Sequence, residues 1–106
     1  MAHVRLVVQE CKPGTVESLT RKAQQTLVPR IQTLPGLVSY EIAKVDDRTI
    51  LATGIFDTHE HAEQLERMGA QWRKDVGKDD IVSVQVHFGE IILHAEPKPK
   101  EVQVSV

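Results

Sequence analysis

Residues 34 to 72 decide the fold of this chain, and they read LPGLVSYEIAKVDDRTILATGIFDTHEHAEQLERMGAQW. Two strand-like runs, Leu37 to Val45 and Thr49 to Phe56, are separated by three polar residues and predict an antiparallel hairpin. Asp57 then stands three residues before Glu60, a spacing typical of an acidic helix cap. The hairpin therefore runs directly into a helix.

This helix is predicted from a stripe of small and apolar residues that recur every three or four positions: Ala62, Leu65, Gly69, Trp72 and Val76. Gly77 supplies a helix-ending signal. We expect Gly69 to let the helix approach the sheet closely.

The residues before this stretch predict a strand followed by a helix. From His3 to Cys11 apolar residues alternate with polar ones, as in a strand with two different faces. After the break at Lys12 to Thr15, a helical stripe consists of Val16, Leu19, Ala23, Leu27, Ile31 and Leu34. Pro29 lies inside this helix, so we expect a kink or a restart there.

The residues after this stretch predict a long final strand, Ile81 to Leu93, with a bulge at Gly89-Glu90. The element order is then β-α-β-β-α-β, which is typical of the α+β ferredoxin-like fold: a four-stranded antiparallel sheet with two helices on one face. We expect one domain over residues 1–95 and a C-terminal tail over 96–106. The alternating residues that end the tail could pair with a sheet edge of a neighbouring chain.

Composition excludes several classes of function. The 106 residues include 13 basic and 15 acidic side chains, and no basic block suited to nucleic acid is present. No apolar run approaches the roughly 20 residues that span a membrane, and no signal-peptide pattern is present. The single cysteine is compatible with a reducing compartment, so we expect a cytoplasmic protein.

The strand patterns also predict self-association. If Val4, Leu6 and Val8 face the helices, the opposite sheet face carries Arg5, Val7, Gln9, Leu51, Thr53, Ile55, Ser83, Gln85 and His87. That face mixes aliphatic and hydrogen-bonding residues, whereas a sheet face open to water is normally polar. We therefore expect a homodimer that packs sheet to sheet, with the long last strand reaching the partner.

The run from LPGLVSYEI through TILATGIFDTHEHAEQL to Trp72 resembles the antibiotic-biosynthesis-monooxygenase-like family of dimeric α/β barrels. The later GEIILHAE is similar to the ending of several members of that family, so the resemblance covers residues 3 to about 95. It implies a dimeric α/β barrel. It also implies a hydrophobic or aromatic small-molecule ligand and an oxygenase reaction that needs no cofactor or metal.

The family's oxygenases and haem-degrading enzymes use an asparagine with a helical tryptophan, and Trp72 matches the tryptophan. The chain contains no asparagine. The haem-degrading members also need an axial histidine beyond the tryptophan, where this chain has residues 78 to 81 instead. The resemblance therefore does not extend to haem degradation.

Three residues are candidates for a site, and each also has a structural interpretation. Trp72 could stack on a flat substrate or could be a core residue. The Tyr40 hydroxyl could donate to a carbonyl or phenolate, or reach solvent. His87, predicted on one face with Gln85 and Arg5, could shuttle a proton or hydrogen-bond across a dimer.

The remaining histidines and the cysteine predict no site. His59 and His61 flank Glu60, but residues two apart on a helix do not face each other, so no metal site is expected. His94 has no partner at a ligand spacing, and Cys11 lacks a group that would activate its thiol.

Two hypotheses remain from the sequence. The first is a homodimer that binds an aromatic small molecule and oxidises it as a cofactor-independent monooxygenase. The second is a non-catalytic ligand-binding or assembly module of the same fold. A cavity beside Trp72 with a few converging polar groups would favour the first, and a filled cleft would favour the second.

Overall fold

A computed structural model describes residues 1–99 of the chain. Its elements are four strands and three helices, the third continued by a π-helical segment: β1 His3–Cys11, α1 Val16–Thr26, α2 Val28–Ile31, β2 Leu37–Lys44, β3 Thr49–Phe56, α3 His59–Trp72, the π-helical segment Arg73–Gly77, and β4 Ile81–Glu90. The break between α1 and α2 confirms the restart predicted at Pro29, which occupies the first turn of α2.

The strands form one antiparallel sheet in the order β2-β3-β1-β4, with β1 and β3 at its centre. This arrangement confirms the predicted α+β ferredoxin-like fold. The helices cover one face of the sheet, and the core lies between them. Among its least exposed side chains are Leu19 and Ile31 from the first two helices, Phe56 from β3, and Leu65 from α3. Both predicted helical stripes thus face the sheet.

The sequence prediction for the faces of β1 was wrong. Arg5 and Val7 are each only 2% exposed and lie under the helices. Val4, Leu6 and Val8 pair with Ile55, Thr53 and Leu51 on the opposite, uncovered face. A shift of one residue reverses every side chain of a strand. The prediction placed Arg5 on the uncovered face because a charged side chain is almost never fully buried unless it is paired.

The last strand is shorter than predicted. It ends at Glu90, and Gly89 pairs with Val4 in regular register, so the predicted bulge is absent. The irregularity lies instead at Glu10 and Cys11 of β1. Beyond the strand, Ile91 still donates its backbone N–H to Ala2, whereas Ile92 and Leu93 are exposed.

The third helix begins one residue later than its acidic signal suggested. Thr58 is the N-cap, and its side chain accepts a hydrogen bond from the backbone N–H of His61. Asp57 instead contacts the His61 ring, with 2.6 Å between Oδ1 and Nδ1. This contact lowers the pKa of the Asp57 carboxyl. Thr58 therefore provides the cap predicted for Asp57, and Asp57 pairs with the His61 ring instead.

The proposed pairing of the chain end with a neighbouring sheet edge concerns residues 100–106, which lie outside the described part. Within residues 1–99, no helix combines the length and the hydrophobicity needed to cross a membrane.

Gly54 sets how closely α3 approaches β3. A Cβ at this position would lie 2.6 Å from Cδ2 of Leu65 and 3.2 Å from the Phe56 ring. We expect Gly54→Ala to lower the free energy of unfolding by about 1–3 kcal/mol, because an extra methyl group in a filled core forces its neighbours to move. Chemical denaturation measures this change.

Gly89→Ala is the matched control, since a Cβ there meets only Val4, at an ordinary 3.5 Å. We expect it to change the free energy of unfolding by less than about 0.5 kcal/mol. Equal effects of the two substitutions would contradict the close approach of α3 to β3.

Candidate functional site

A small chamber lies between the helices and the covered face of the sheet. Its volume is about 50 Å³, enough for one or two water molecules and too small for a drug-sized ligand. Six of its lining residues carry polar groups: Arg5, Gln9, Thr20, Tyr40, Trp72 and Arg73. The other lining residues are aliphatic or glycine. An apolar chamber with a few converging polar groups is the usual form of a small-molecule site.

Arg5 is the charged residue of the wall that is almost completely buried, at 2% exposure. Its Nε and Nη2 donate to Oε1 of Glu66 at 3.0 and 2.7 Å. Arg73 donates from Nη2 to the other carboxylate oxygen of Glu66 at 2.7 Å. One carboxylate thus holds two guanidinium groups, and the group carries a net charge of one positive unit. Such a buried charge persists only where hydrogen bonds compensate its desolvation.

Gly69 makes room for this ion pair. A Cβ at position 69 would lie 2.7 Å from Nη2 of Arg5, closer than ordinary contacts. The sequence predicted that Gly69 allows a close approach of helix and sheet. The structure gives a more specific reason, because the space beside the glycine is occupied by the guanidinium of Arg5.

Tyr40 extends from β2 into the same chamber. Burial raises the pKa of its phenol, while the positive charges of Arg5 and Arg73 partly lower it. The net direction is upward, so the hydroxyl keeps its proton at neutral pH and can act as a hydrogen-bond donor.

Trp72 lines the chamber and is also part of the core. It is 7% exposed, and its indole N–H donates to the Thr26 hydroxyl at 2.8 Å. The indole nitrogen therefore already has an acceptor, which leaves the ring as the part of the side chain available to a ligand.

A wider groove opens beside the chamber between α1, α2 and β2. Its volume is about 390 Å³, and its wall is mostly apolar, including Val28, Ile31 and Leu37. Three residues, Thr20, Tyr40 and Ile42, line both the groove and the chamber. The groove is large enough for a small organic molecule, and Tyr40 lies where the two spaces meet.

His87 does not belong to this site. It pairs with Leu6 on the uncovered face, so the sheet separates it from Tyr40 and Trp72. Arg5 lies on the opposite face, so the prediction that His87 and Arg5 share a face was wrong.

The other histidines and the cysteine have structural contacts. His59 packs edge-on against Phe88 at 5.3 Å between ring centroids. His94 contacts Glu96 near the end of the described chain. Cys11 is fully buried, and burial raises the pKa of its thiol. Residues 1–99 hold no group of three or more His, Cys, Asp or Glu side chains placed to bind a metal ion.

Sequence reasoning missed Arg5, Glu66 and Arg73 as site residues. Arg5 was predicted on the opposite face of the sheet, and neither Glu66 nor Arg73 was a candidate. One signal was available in the sequence. Glu66, Gly69 and Arg73 recur at three- and four-residue steps, so they lie on one face of the helix, and the glycine leaves room there for another side chain.

Comparison with known proteins identifies the fold. No family model matches the chain, and no curated protein matches it by sequence. A monooxygenase of Streptomyces coelicolor, in complex with nanaomycin D, matches with a TM-score of 0.74 at 14% identity, over 91% of this chain and 92% of that chain.

Two further solved structures match the fold of this chain. A candidate antibiotic biosynthesis monooxygenase of Chloroflexus aurantiacus has a TM-score of 0.68 at 18% identity, over 91% of this chain and 98% of that chain. A dimeric ferredoxin-like protein from an uncultured marine organism has a TM-score of 0.72 at 14% identity, over 91% and 92%. The resemblance to antibiotic-biosynthesis-monooxygenase-like proteins is thereby confirmed at the level of the fold.

Tyr40 is the only tyrosine in the chain, so its ionisation can be followed by ultraviolet absorbance. We expect a midpoint above the ordinary value of about 10, because burial disfavours the phenolate. The folded chain then holds the proton more tightly than the unfolded chain. This contribution to stability is complete below the unfolded pKa and is lost as pH rises through the folded one.

Arg5→Met should raise the Tyr40 midpoint further, because it removes a positive charge that favours the phenolate. The control is Arg67→Met, whose arginine is exposed and pairs with Glu63. A midpoint at or below 10 in the folded protein would contradict the burial of Tyr40.

Proposed function

We propose that this protein is a homodimer, each subunit of which binds a hydrophobic, aromatic small molecule in the groove and chamber beside Tyr40 and Trp72. We further propose that it oxidises this molecule with O₂ as a monooxygenase, without a metal or cofactor. The observation that carries the proposal is that Tyr40 lines both the apolar groove and the chamber, whose wall also includes Trp72 and Arg5. The solved structure of a monooxygenase with the same fold supports it.

The chain's own residues supply positioning and charge. An aromatic ligand in the groove would extend an oxygen atom toward the chamber, where Tyr40 can donate a hydrogen bond. Arg5 and Arg73 favour the ionised form of a phenol, and the phenolate is the electron-rich form that reacts with O₂. In the oxidation of a phenol to a quinone, one oxygen atom of O₂ becomes the new carbonyl. The other oxygen leaves as water with two hydrogens of the substrate, so the electrons come from the substrate.

Specific observations favour the second candidate, a non-catalytic ligand-binding or assembly module. The inner chamber is only about 50 Å³, and the indole N–H of Trp72 is already bonded to Thr26. A protein of this kind would bind the same class of ligand without consuming O₂.

Oxygen uptake separates the two candidates. We expect the full chain to consume O₂ with 1,5-dihydroxynaphthalene and to form 5-hydroxy-1,4-naphthoquinone, with one O₂ used per quinone. Tyr40→Phe should reduce the rate about tenfold or more, because the substrate loses a half-buried hydrogen-bond donor. His94→Ala is the control, because His94 is exposed and lines neither the groove nor the chamber. Binding of the naphthalene without O₂ uptake would instead support the non-catalytic candidate.

The uncovered sheet face supports the homodimer. At its centre, three cross-strand pairs of β1 and β3 contain five aliphatic residues and one threonine: Val4, Leu6, Val8, Leu51, Thr53 and Ile55. The flanking strands contribute mainly polar residues, such as Gln85 and His87 on β4 and Ser39 and Glu41 on β2. An apolar centre with a polar rim is typical of a protein interface. The face is more apolar than the sequence suggested, since Arg5 is not part of it.

Adjacent residues of β1 provide a matched test of the dimer. We expect Val8→Asp to yield a folded monomer, because it places a charge at the centre of the uncovered face. Val7→Asp should abolish folding instead, because Val7 is 2% exposed beneath the helices. Sedimentation velocity and circular dichroism measure the two outcomes. A dimeric Val8→Asp protein would contradict the proposed interface.

A further inference from the structure

The wall of the inner chamber is positively charged. Arg5 and Arg73 both line it, and no aspartate or glutamate does. Glu66 neutralises one of the two charges from outside the chamber wall. The remaining positive charge faces a space with otherwise apolar or neutral walls, where electrostatic interactions are stronger than in water.

The hydrogen bonds of this group leave donors for a ligand. Arg5 uses Nε and Nη2 for Glu66, and Arg73 uses Nη2. The Nη1 groups of both arginines are not used for Glu66, and Arg5 also makes a side-chain hydrogen bond to Tyr40. A guanidinium is the side chain best suited to an anionic oxygen group, since its planar donors match a carboxylate. Tyr40, on the same wall, adds a neutral donor.

From this arrangement we infer that the ligand is an aromatic acid bound as its anion, with the anionic oxygen group in the chamber against Arg5 and Arg73 and the aromatic body in the groove. The inference rests on the proposed function for the location of the site, and it adds the charge of the ligand. The sizes of the two spaces agree with this division, because the chamber of about 50 Å³ accepts only a small group while the groove of about 390 Å³ accepts a ring system.

The burial of Arg5 and the balance of charges around it also fit an anionic ligand. Arg5 is almost completely buried, with a side chain 3% exposed, and Gly69 keeps the space that its guanidinium occupies. Here one carboxylate serves two guanidinium groups, so an anionic ligand would complete the charge balance.

Three naphthalene derivatives of nearly equal shape test the inference. Isothermal titration calorimetry of the full chain at neutral pH would compare 2-naphthoate, 2-naphthamide and 2-naphthol. We expect 2-naphthoate to bind at least about tenfold tighter than 2-naphthamide, because charge-assisted hydrogen bonds are about twice as strong as neutral ones. The absorption spectrum of bound 2-naphthol shows whether it is bound as its anion. An anionic spectrum also supports the inference, because the anionic group in the chamber is then a phenolate and not a carboxylate.

Two variants and one control test whether the preference for naphthoate over naphthamide depends on the charged residues at the chamber. Arg73→Met should reduce the ratio of naphthoate to naphthamide affinity toward one. Glu66→Gln should keep or raise this ratio, because it removes the negative charge that offsets the arginines. A merely structural role for these residues would lower the affinity for both ligands equally. Arg67→Met removes an exposed arginine of the same helix and should leave the ratio unchanged.

The failures of the two proposals are distinguishable. Equal affinity for naphthoate, naphthamide and neutral naphthol would overturn the inference of an anionic ligand while leaving the proposed aromatic site intact. Absence of binding by all three would overturn the proposed site and the inference together. Thermal unfolding of each variant confirms that it is folded, and Arg73→Gln, which removes the same charge, replaces Arg73→Met if the latter does not fold.

Discussion

The ion pair between Arg5 and Glu66 joins the central strand of the sheet to the helix that covers it, and the chamber depends on this link. Arg5 reaches from β1 into the space above the sheet, and Glu66 and Arg73 hold it from α3 and its π-helical continuation. Gly69 leaves the room that this contact needs.

The two faces of the sheet differ in what they present. The covered face holds the chamber, with Tyr40 and Trp72 in its wall. The uncovered face presents Leu6, Val8 and Leu51, and it carries the proposed dimer contact. Because successive residues of β1 alternate between these faces, the strand serves both at once. A fold of this kind accepts many functions, so the chemistry must be argued from the chamber and not from the fold.

The elements of the fold were predictable from the sequence because their signals are local. The two stripes, one containing Leu19 and the other Leu65, indicated the covered sides of the helices, and the hairpin before Asp57 indicated the order of the elements. The phase of β1 was not predictable, since apolar residues occur at both Val7 and Val8 and only tertiary pairing decides which is buried. The sequence named Trp72 and Tyr40 as candidates, and both line the chamber. It did not name Arg5 or Glu66, because the two residues that pair are 61 positions apart.

A double-mutant cycle between Arg5 and Glu66 tests the central claim most directly. The free energies of unfolding of Arg5→Met, Glu66→Met and the double variant would be measured by chemical denaturation. If the pair links the sheet to α3, each single change costs about 3 kcal/mol or more, and the double change costs less than the sum by a coupling energy of about 1–3 kcal/mol. Additive effects within about 0.5 kcal/mol would contradict the account, because the two side chains would then act independently.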